Sequence, residues 1–561
     1  MKNTEAYESD DYYPPDPVKL TYLGDGRDLE FYLLEIAAGR YRPKSGIFEL
    51  FGTANVGMDF EGGSGAFLTD AMLNPFESNS DVYTGAAINA RSAIRYIEGR
   101  VRPVPTGEEF MILTHPDFLA AANTLRDWKR SIGISTNVYL CGTDSDISGR
   151  ETKEEIDAFI ESHYSSVLIR PSYILLLGDA EFIEPFLITH SLSYETEIMG
   201  TDWPYAILGD VGDDNVPDFA LGRISVDTLA EANIVVNKII QYEDNPPMDT
   251  AFYNNATVAG LFQCCRTDVA NVGTDQRTFI EVSEFARNVM ITAGKTVDRF
   301  YTETIDAGCG WCTPPRPAYT ADATPRRYYN GTLLPTSLGP TSGFAWDGDT
   351  ADVVAAWNAG RFLMLHRDHG WEHGWSDPEF ETTDIDDLTN GALLPVVFSV
   401  NCASGYFDNE TSGGSMASVY FAEKLLRKSG AGAVGVLGDT RNSPSWANTA
   451  LTQGFFDAIW PSAIGTFGDA TSHRRLGDIL NHGKLYMMSR VGFSVMGRTL
   501  DNADAVGDLY LWHCFGDPTM KIWTGYPYFI VLPNLIVYRY IHLTGEQELQ
   551  FAGGSNVEYE R

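Results

Sequence analysis

The sequence predicts an α/β protein with mostly parallel sheets, flanked by β-rich segments at both ends. Three observations lead there. From residue 110, apolar runs alternate with amphipathic helical patterns. A second such alternation begins near residue 250, and the patterning before 105 and after 526 is that of short strands. Strands that alternate with helices build parallel sheets covered on both faces.

Residues 1–105 form the first unit. "LEFYLLEIAAGRYRPKSGIFELFGTANVGMDFEGG" carries short alternating apolar runs, with "PKSG" as a turn between two of them. "EGRVRPVPTGEE" (98–109) reads as an exposed Pro/Gly-containing linker. The second unit, 106–248, opens with the strand "FMILTH" and the helix "PDFLAAANTLRDWKRSIG", closed by Gly133. The strand "STNVYLC", the helix "TKEEIDAFIESHYSS" and the strand "SYILLLGDA" complete β-α-β-α-β. The third unit, 249–525, holds the strand "NATVAGLFQ", the helix "DQRTFIEVSEFARNVMITAG", and three apolar strands in "WNAGRFLMLH", "LLPVVFSVN" and "GAVGVLGDT". "GSMASVYFAEKLLRKSG" is the helix between the last two. Residues 526–561 read as strands of a further β unit, such as part of an Ig-like domain, in a chain cut from something longer. No 20–50-residue repeat interrupts this order.

Composition excludes some functions. Lys+Arg number 40 against Asp+Glu 76, a formal net charge of −36 over 561 residues. Such a surface repels phosphate backbones, so nucleic acid is excluded as a partner. The excess acidity reads first as solubility or salt adaptation and second as attraction for cations or basic substrates. No stretch approaches the roughly 20 apolar residues of a membrane span, and the start, "MKNTEAYESDDYYPPD", has no apolar h-region of a signal peptide. The cysteines number seven, so at least one thiol is free.

Chemistry concentrates at two strand ends. The strand "RFLMLH" is followed by His369-Gly370, and "PVVFSV" by Asn401-Cys402. In an open parallel sheet the C-terminal strand ends share an edge, and ligands bind there. His369 and Cys402 are therefore expected side by side, where an imidazole can take a thiol's proton and leave a strong nucleophile. Alone, Cys402 reads as a buried free thiol and His369 as a satisfied core histidine. Their matched placement favours chemistry. Gly370 and Gly405 beside them allow close approach of backbone to a substrate, and backbone N–H groups there could hold an oxyanion.

Other clusters are weaker. His366, His369 and His373 sit within eight positions, but "HGWEHG" lacks the H-E-x-x-H order and its glycines oppose a helix, which disfavours zinc. His366 is expected to point off the strand end. "CGWC" (309–312) with Cys264 and Cys265 suits one or two disulfides or a four-sulfur metal site. A disulfide is favoured there, which points to an oxidising compartment. "GDVGDDNVPD" (209–218) misses the EF-hand spacing and reads as an Asp-rich turn.

These segments carry a resemblance. "DHGWEHGW" and "PVVFSVNCASGYF", with His369 and Cys402 33 residues apart, are similar to the gingipain family of cysteine peptidases, which share the caspase-like fold. "LRDWKRSIGI", "YILLLGDAE", "DFALGRISV" and "FGDPTMKIW" also resemble family segments, so the likeness runs over about 110–525. Residues 30–62 resemble the end of the family's propeptide. The resemblance implies His369 as catalytic histidine, Cys402 as nucleophile, and the amides of Gly370 and Cys402 as oxyanion hole. It implies Asp275, in "VGTDQRTF", as the acid at the base of an arginine-binding S1 pocket, where a carboxylate pairs with a guanidinium. A capping Asp ahead of a helix is the competing reading. Trp446 resembles the aromatic that covers the P1 side chain.

Two departures stand out. Gln263 occupies the place of the family's acidic residue beside the histidine. It can orient the ring but cannot stabilise imidazolium by charge. Trp371 follows the His-Gly pair and is expected to narrow the mouth.

The function expected is a cysteine endopeptidase cleaving proteins or peptides after a basic residue, Arg first, through a thioester on Cys402. The alternative is a non-catalytic binding or scaffold protein on the same fold, motivated by Gln263 and Trp371. Cutting after Arg100 is expected to release the N-terminal unit of a zymogen. No cofactor is expected for the chemistry. The family's structural Ca2+ leaves room for metal ions, an extracellular or cell-envelope location is expected, and oligomeric state stays open.

Overall fold

The computed structural model describes residues 8, 10–26, 29–51, 106–209, 214–263, 273–303, 325–408, 419–465, 467–468 and 471–527. Its centre is a ten-stranded sheet built from short apolar runs. In chain order these are β1 (Phe110–Thr114), β2 (Thr136–Leu140), β3 (Tyr173–Leu177), β4 (Ala220–Ile224), β5 (Asn255–Phe262), β6 (Thr296–Glu303), β7 (Leu363–Arg367), β8 (Val396–Val400), β9 (Gly435–Asp439) and β10 (Trp512–Phe515). Strands β1, β3, β7, β8 and β9 are buried along their whole length, as expected when helices cover both faces of a sheet. The long helices are α1 (Leu119–Ser131), α2 (Lys153–Ser166), α3 (Leu229–Asp244), α4 (Phe279–Thr292), α5 (Thr350–Asn358), α6 (Phe421–Arg427), α7 (Ser445–Ile459), α8 (Leu476–Ser489) and α9 (Asn502–Leu511). Thr152, Thr228 and Asp349 start α2, α3 and α5 with capping boxes.

The spatial order is β6-β5-β7-β8-β9-β10-β4-β3-β1-β2. Neighbours are parallel except β9 and β10, which are antiparallel, while β10 runs parallel to β4. The two α/β units therefore share one sheet, and β10 reverses its direction. The C-terminal strand ends of β1–β4 lie at one edge, and those of β5–β9 at the other. Within the second unit the chain steps from β5 outward to β6, then returns to β7 on the other side of β5. Ligands bind at such a change of direction in open α/β sheets, here at the C-terminal ends of β5 and β7.

The expected elements are found within a few residues, with instructive exceptions. "PKSG" turns Gly39–Arg42 into Ile47–Leu50, with Gly46 at φ +65°. A second hairpin, Val18–Gly26 with Leu29–Ile36, reaches both α/β units through Phe31, which packs with Val216 and Leu485. The helix expected from Asp275 begins at Phe279, because the Asp275 carboxylate accepts the Arg277 N–H and holds a turn there. The end of the linker is not exposed. Glu108 is fully buried and accepts hydrogen bonds from Asn137 and Tyr139, so this stretch belongs to the sheet edge. Strands β4, β6 and β10 and the hairpin Phe186–Ser191 with Thr196–Thr201 complete the framework.

A buried ion pair ties that hairpin to the sheet. Arg223 on β4 grips Asp202 with two bonds of 2.7 Å, and both residues are about 1% exposed. Removing one charge strands the other in a low-dielectric interior. Asp202→Asn is expected to cost about 3–5 kcal/mol of stability, read as a lower denaturant midpoint. An unchanged midpoint would refute this account of the pair.

Candidate functional site

The site grows from the pairing of β7 with β8. Their register sets Arg367 against Val400, so Asp368-His369-Gly370 and Asn401-Cys402 leave the sheet side by side. The approach is close enough to require glycine. A Cβ on Gly370 would stand 2.6 Å from Asn401 Cγ, far inside contact distance. The register of the small hairpin that follows matches Gly370 to Trp375, with the adjacent bond running from Ser376 N–H to His369 O, so the Gly370 N–H lies outside that ladder. After the nucleophile candidate the chain turns sharply. Ala403 adopts φ 58°, a left-handed conformation that costs a non-glycine residue about 1–2 kcal/mol. Its N–H donates to Arg441 O at 3.0 Å. Gly405 serves packing and not substrate approach: a Cβ there would meet the Phe515 ring at 2.3 Å.

His369 stands at the mouth, exposed at its outer edge, with its ring edge-on to Phe279 at 5.3 Å. Gln263, at the end of β5, is buried, and its Oε1 accepts from His369 Nε2 at 3.0 Å. That bond fixes the proton on Nε2 and leaves Nδ1 as the basic nitrogen. Desolvation first, then the positive charges of Arg277 and Arg367, push the His369 pKa down to about 4. The ring is neutral at physiological pH.

Cys402 is half-buried. Burial, aided by the charge of Asp439, pushes the thiol up to about 12, against hydrogen bonding from Ser443 and the attraction of Arg367. The resting pair is thus thiol and neutral imidazole. Ser443 donates its hydroxyl to Asn401 O at 2.6 Å and accepts from Asn448, tying the Cys402 turn to α7. The tip of the 186–201 hairpin also arrives here. Tyr194 donates to Asn442 O at 3.1 Å and is close enough to feel the charge of Cys402.

The other two histidines do not join a cage. His366 does not point off the strand end into the approach, as the sequence suggested. It is fully buried, because β7 is covered on both faces, and it stacks flat on Trp375 at 4.5 Å. Its Nε2 donates to Asp377 O, and its Nδ1 accepts from Asn401 at 2.9 Å. Asn401 also donates to Ser399, whose hydroxyl oxygen accepts from Trp375 Nε1. Burial pushes the His366 pKa down to about 3, so it is a neutral prop for the residue before Cys402. His373 follows Trp371 at the turn of the small hairpin, and Trp371 is 39% exposed. Among the described residues, the one group of three potential metal ligands is Asp179, Asp227 and Glu423. Arg427 already binds Asp227 with two hydrogen bonds, pairs with Glu423 and lies 3.8 Å from Asp179, so this group suits an internal guanidinium and not a cation site.

The residues expected to set specificity, Trp446 and Asp275, are both buried. Trp446 opens α7, is 7% exposed and meets Tyr329 edge-on at 5.3 Å. Asp275 is wholly buried. Its Oδ1 accepts from Arg277 N–H at 3.0 Å and its Oδ2 has no partner. Burial raises its pKa well above the usual carboxylate range, opposed by the amides of Arg277, Gln263 and Gln276. Two guanidinium groups also approach Trp446, Arg498 at 4.2 Å from the ring centroid and Arg277 at 5.8 Å. Arg100, Cys264, Cys265, Cys309, Cys312, most of the first 105 residues and the 528–561 extension lie outside the described residues, as do four residues of the Asp-rich turn.

Sequence reasoning did not single out Asn401, Ser443, Tyr194, Arg277, Arg367 or Arg498. Arg367 had a legible signal, a cation ending an otherwise apolar strand directly before the His-Gly segment. Tyr194 had none, because its hairpin lies more than 200 residues away in the chain.

Comparison with known proteins agrees with this architecture. The crystal structure of the Arg specific cysteine proteinase gingipain R superposes with a TM-score of 0.55 at 19% identity, covering 75% of this chain and 80% of that one. The complex of Porphyromonas gingivalis RgpB pro- and mature domains gives 0.53 at 20% identity, covering 74% and 80%. The chain has the caspase-like α/β fold of these structures. Gingipain R2 of Porphyromonas gingivalis is 22% identical over 535 residues, 93% of this chain and 60% of the relative. The chain thus spans about 60% of the length of that curated relative. An uncharacterized protein of Archaeoglobus fulgidus is 24% identical over 324 residues, 54% of this chain and 68% of that one. The sequence profile of peptidase family C25 matches residues 104–523, and the chain belongs to that family.

The close contact at Gly370 generates a test. Gly370→Ala is expected to push the two strand ends apart, lowering stability by about 1–3 kcal/mol and slowing alkylation of Cys402 by an arginyl chloromethyl ketone. Labelling at the wild-type rate would show that the approach tolerates a methyl group.

Proposed function

We propose that the chain is a cysteine endopeptidase in which Cys402 attacks the scissile carbonyl and His369 moves the proton. The observation that carries this is the pairing of β7 with β8, which sets both residues at adjacent strand ends. His369 Nδ1 takes the Cys402 proton as the sulfur adds to the carbonyl carbon. The amides of Gly370 and Cys402 receive the developing oxyanion. The imidazolium then protonates the leaving amine, and water cleaves the thioester with His369 as base. Gln263 keeps the ring oriented throughout. No cofactor is needed for these steps. Cys402→Ala is expected to reduce peptide hydrolysis to background, and unchanged turnover would refute the mechanism.

The neutral Gln263 makes the pH profile diagnostic. An imidazole with a pKa near 4 stays unprotonated through the physiological range, so activity is expected to fall only as pH drops towards 4. Gln263→Glu sets a negative charge beside the imidazolium and stabilises it. The acid limb is then expected to move upward by about 1–3 pH units. A profile that does not move would mean that Gln263 does not touch the working base.

The P1 residue is proposed to be basic, Arg first. The resemblance of "VGTDQRTF" to family segments suggests Asp275 as the S1 acid, and its unpartnered Oδ2 supports that role. A second reading, an acidic P1 side chain, is favoured by Arg498 and Arg277 beside Trp446. Reporter peptides with Arg, Lys, Asp or Glu at P1 separate the two. Under the first reading, Asp275→Asn is expected to lower kcat/KM about 30-fold or more for Arg with little change elsewhere, as for loss of a buried charge partner. Equal loss on all substrates would make Asp275 structural. Under the second, Arg498→Ala weakens cleavage after Asp and Glu selectively.

Residues 1–105 are proposed to be a pro-segment released by cutting Arg100–Val101, in a protein that works outside the cell or on its envelope. Substrates are proteins or peptides. Mass spectrometry of aged, active protein checks the cut, and an intact linker in fully active enzyme would rule it out.

A further inference from the structure

Arg367 is a cation buried under the site without an anion bound to it. It is 1% exposed at the end of β7, and its guanidinium lies 4.4 Å over the Phe279 ring. Its hydrogen bonds go to neutral oxygens: Ser445 O at 2.6 Å, Ser445 Oγ at 3.2 Å, and Val400 O and Thr449 Oγ1 at 3.4 Å. Its Nε has no partner, and among the described residues no carboxylate comes within ion-pair distance. Burying a guanidinium in this way is costly unless a charge that forms nearby repays it.

The charged and titratable groups around it narrow the choice of that charge. From its own strand and the turn after it come His366, Asp368 and His369, and from the turn ahead of α4 comes Arg277. Asp439 on β9 and Asp508 on α9 face it from the other side. Burial raises Asp368, Asp439 and Asp508 well above the usual carboxylate range, and none of them pairs with Arg367. The anion that the proposed catalysis creates is the Cys402 thiolate, whose attraction is the first electrostatic influence on Arg367 that opposes its burial.

We infer that Arg367 is a positioning residue for Cys402, a fixed positive charge that stabilises the thiolate when the thiol proton passes to His369. The inference rests on the reading of Cys402 as nucleophile. In the step concerned, the Cys402 S–H bond breaks, the proton goes to His369 Nδ1, the electron pair stays on sulfur, and Arg367 keeps all its protons. The same charge disfavours imidazolium at His369. Its removal must therefore raise the pKa of both groups, a paired signature that loss of packing alone does not produce.

The test measures alkylation of Cys402 by iodoacetamide from pH 6 to 10, followed on the Cys402 peptide by mass spectrometry, with Cys402→Ala as blank. Full-length wild type, Arg367→Lys, Arg367→Gln and Arg367→Met are compared after each is confirmed folded by thermal unfolding. The neutral variants are expected to shift the rate profile upward by one pH unit or more, with alkylation at pH 8 at least 10-fold slower. Arg367→Lys is expected to stay within threefold of wild type. In peptide hydrolysis the acid limb of the neutral variants should also move up. Profiles of Gln and Met variants that superpose on wild type would overturn the inference while leaving the nucleophile intact. Absence of Cys402 alkylation in folded wild type across the whole range would overturn both.

Discussion

The parallel pairing of β7 with β8 is the constraint on which the rest depends. It aligns Arg367 with Val400 and delivers two short chain segments to one edge at one height. A slip of one residue would exchange the faces of every following side chain, taking His366 off Trp375. The register is held where it matters by a glycine packed on an asparagine, and by a buried histidine that orients that asparagine. The charged and hydrogen-bonded groups at the mouth are consequences of this alignment.

Placement at the switch of strand direction explains why the third partner comes from β5. The chain builds β5, moves outward to β6, and returns to β7 on the other side. The segments after β5 and β7 leave the sheet in neighbouring positions, and Gln263 and His369 meet there. Helix α7 and the 186–201 hairpin close in from the β9–β10 side, bringing Ser443, Trp446 and Tyr194. The reversal at β10 keeps the strand ends of the first unit at the opposite edge.

Much of this was legible in the sequence, for physical reasons. Five-residue apolar runs such as Phe110–Thr114 and Val396–Val400 mark strands buried on both faces, and the residues after them mark the functional edge. What was hidden arises from long-range packing. Nothing near Asp275 in the chain says that its carboxylate will be sealed from water, and nothing near Tyr194 says that it will bond Asn442. His366 and His369 look alike in a string of three histidines. Only the alternation of strand faces separates them, one stacked under the sheet edge on Trp375 and the other at the mouth. Strand β10 escaped notice because its four residues, Trp512–Phe515, include a histidine and carry no period of their own.

A sulfur held as a thiol while the site is empty has a bearing on durability. Peroxide and other oxidants attack the thiolate, and each step from sulfenic to sulfonic acid starts there. Burial, with the charge of Asp439, raises the Cys402 thiol to about 12 and keeps the thiolate fraction small. The burial that keeps Cys402 a thiol at rest therefore also shields it from oxidation in aerated surroundings.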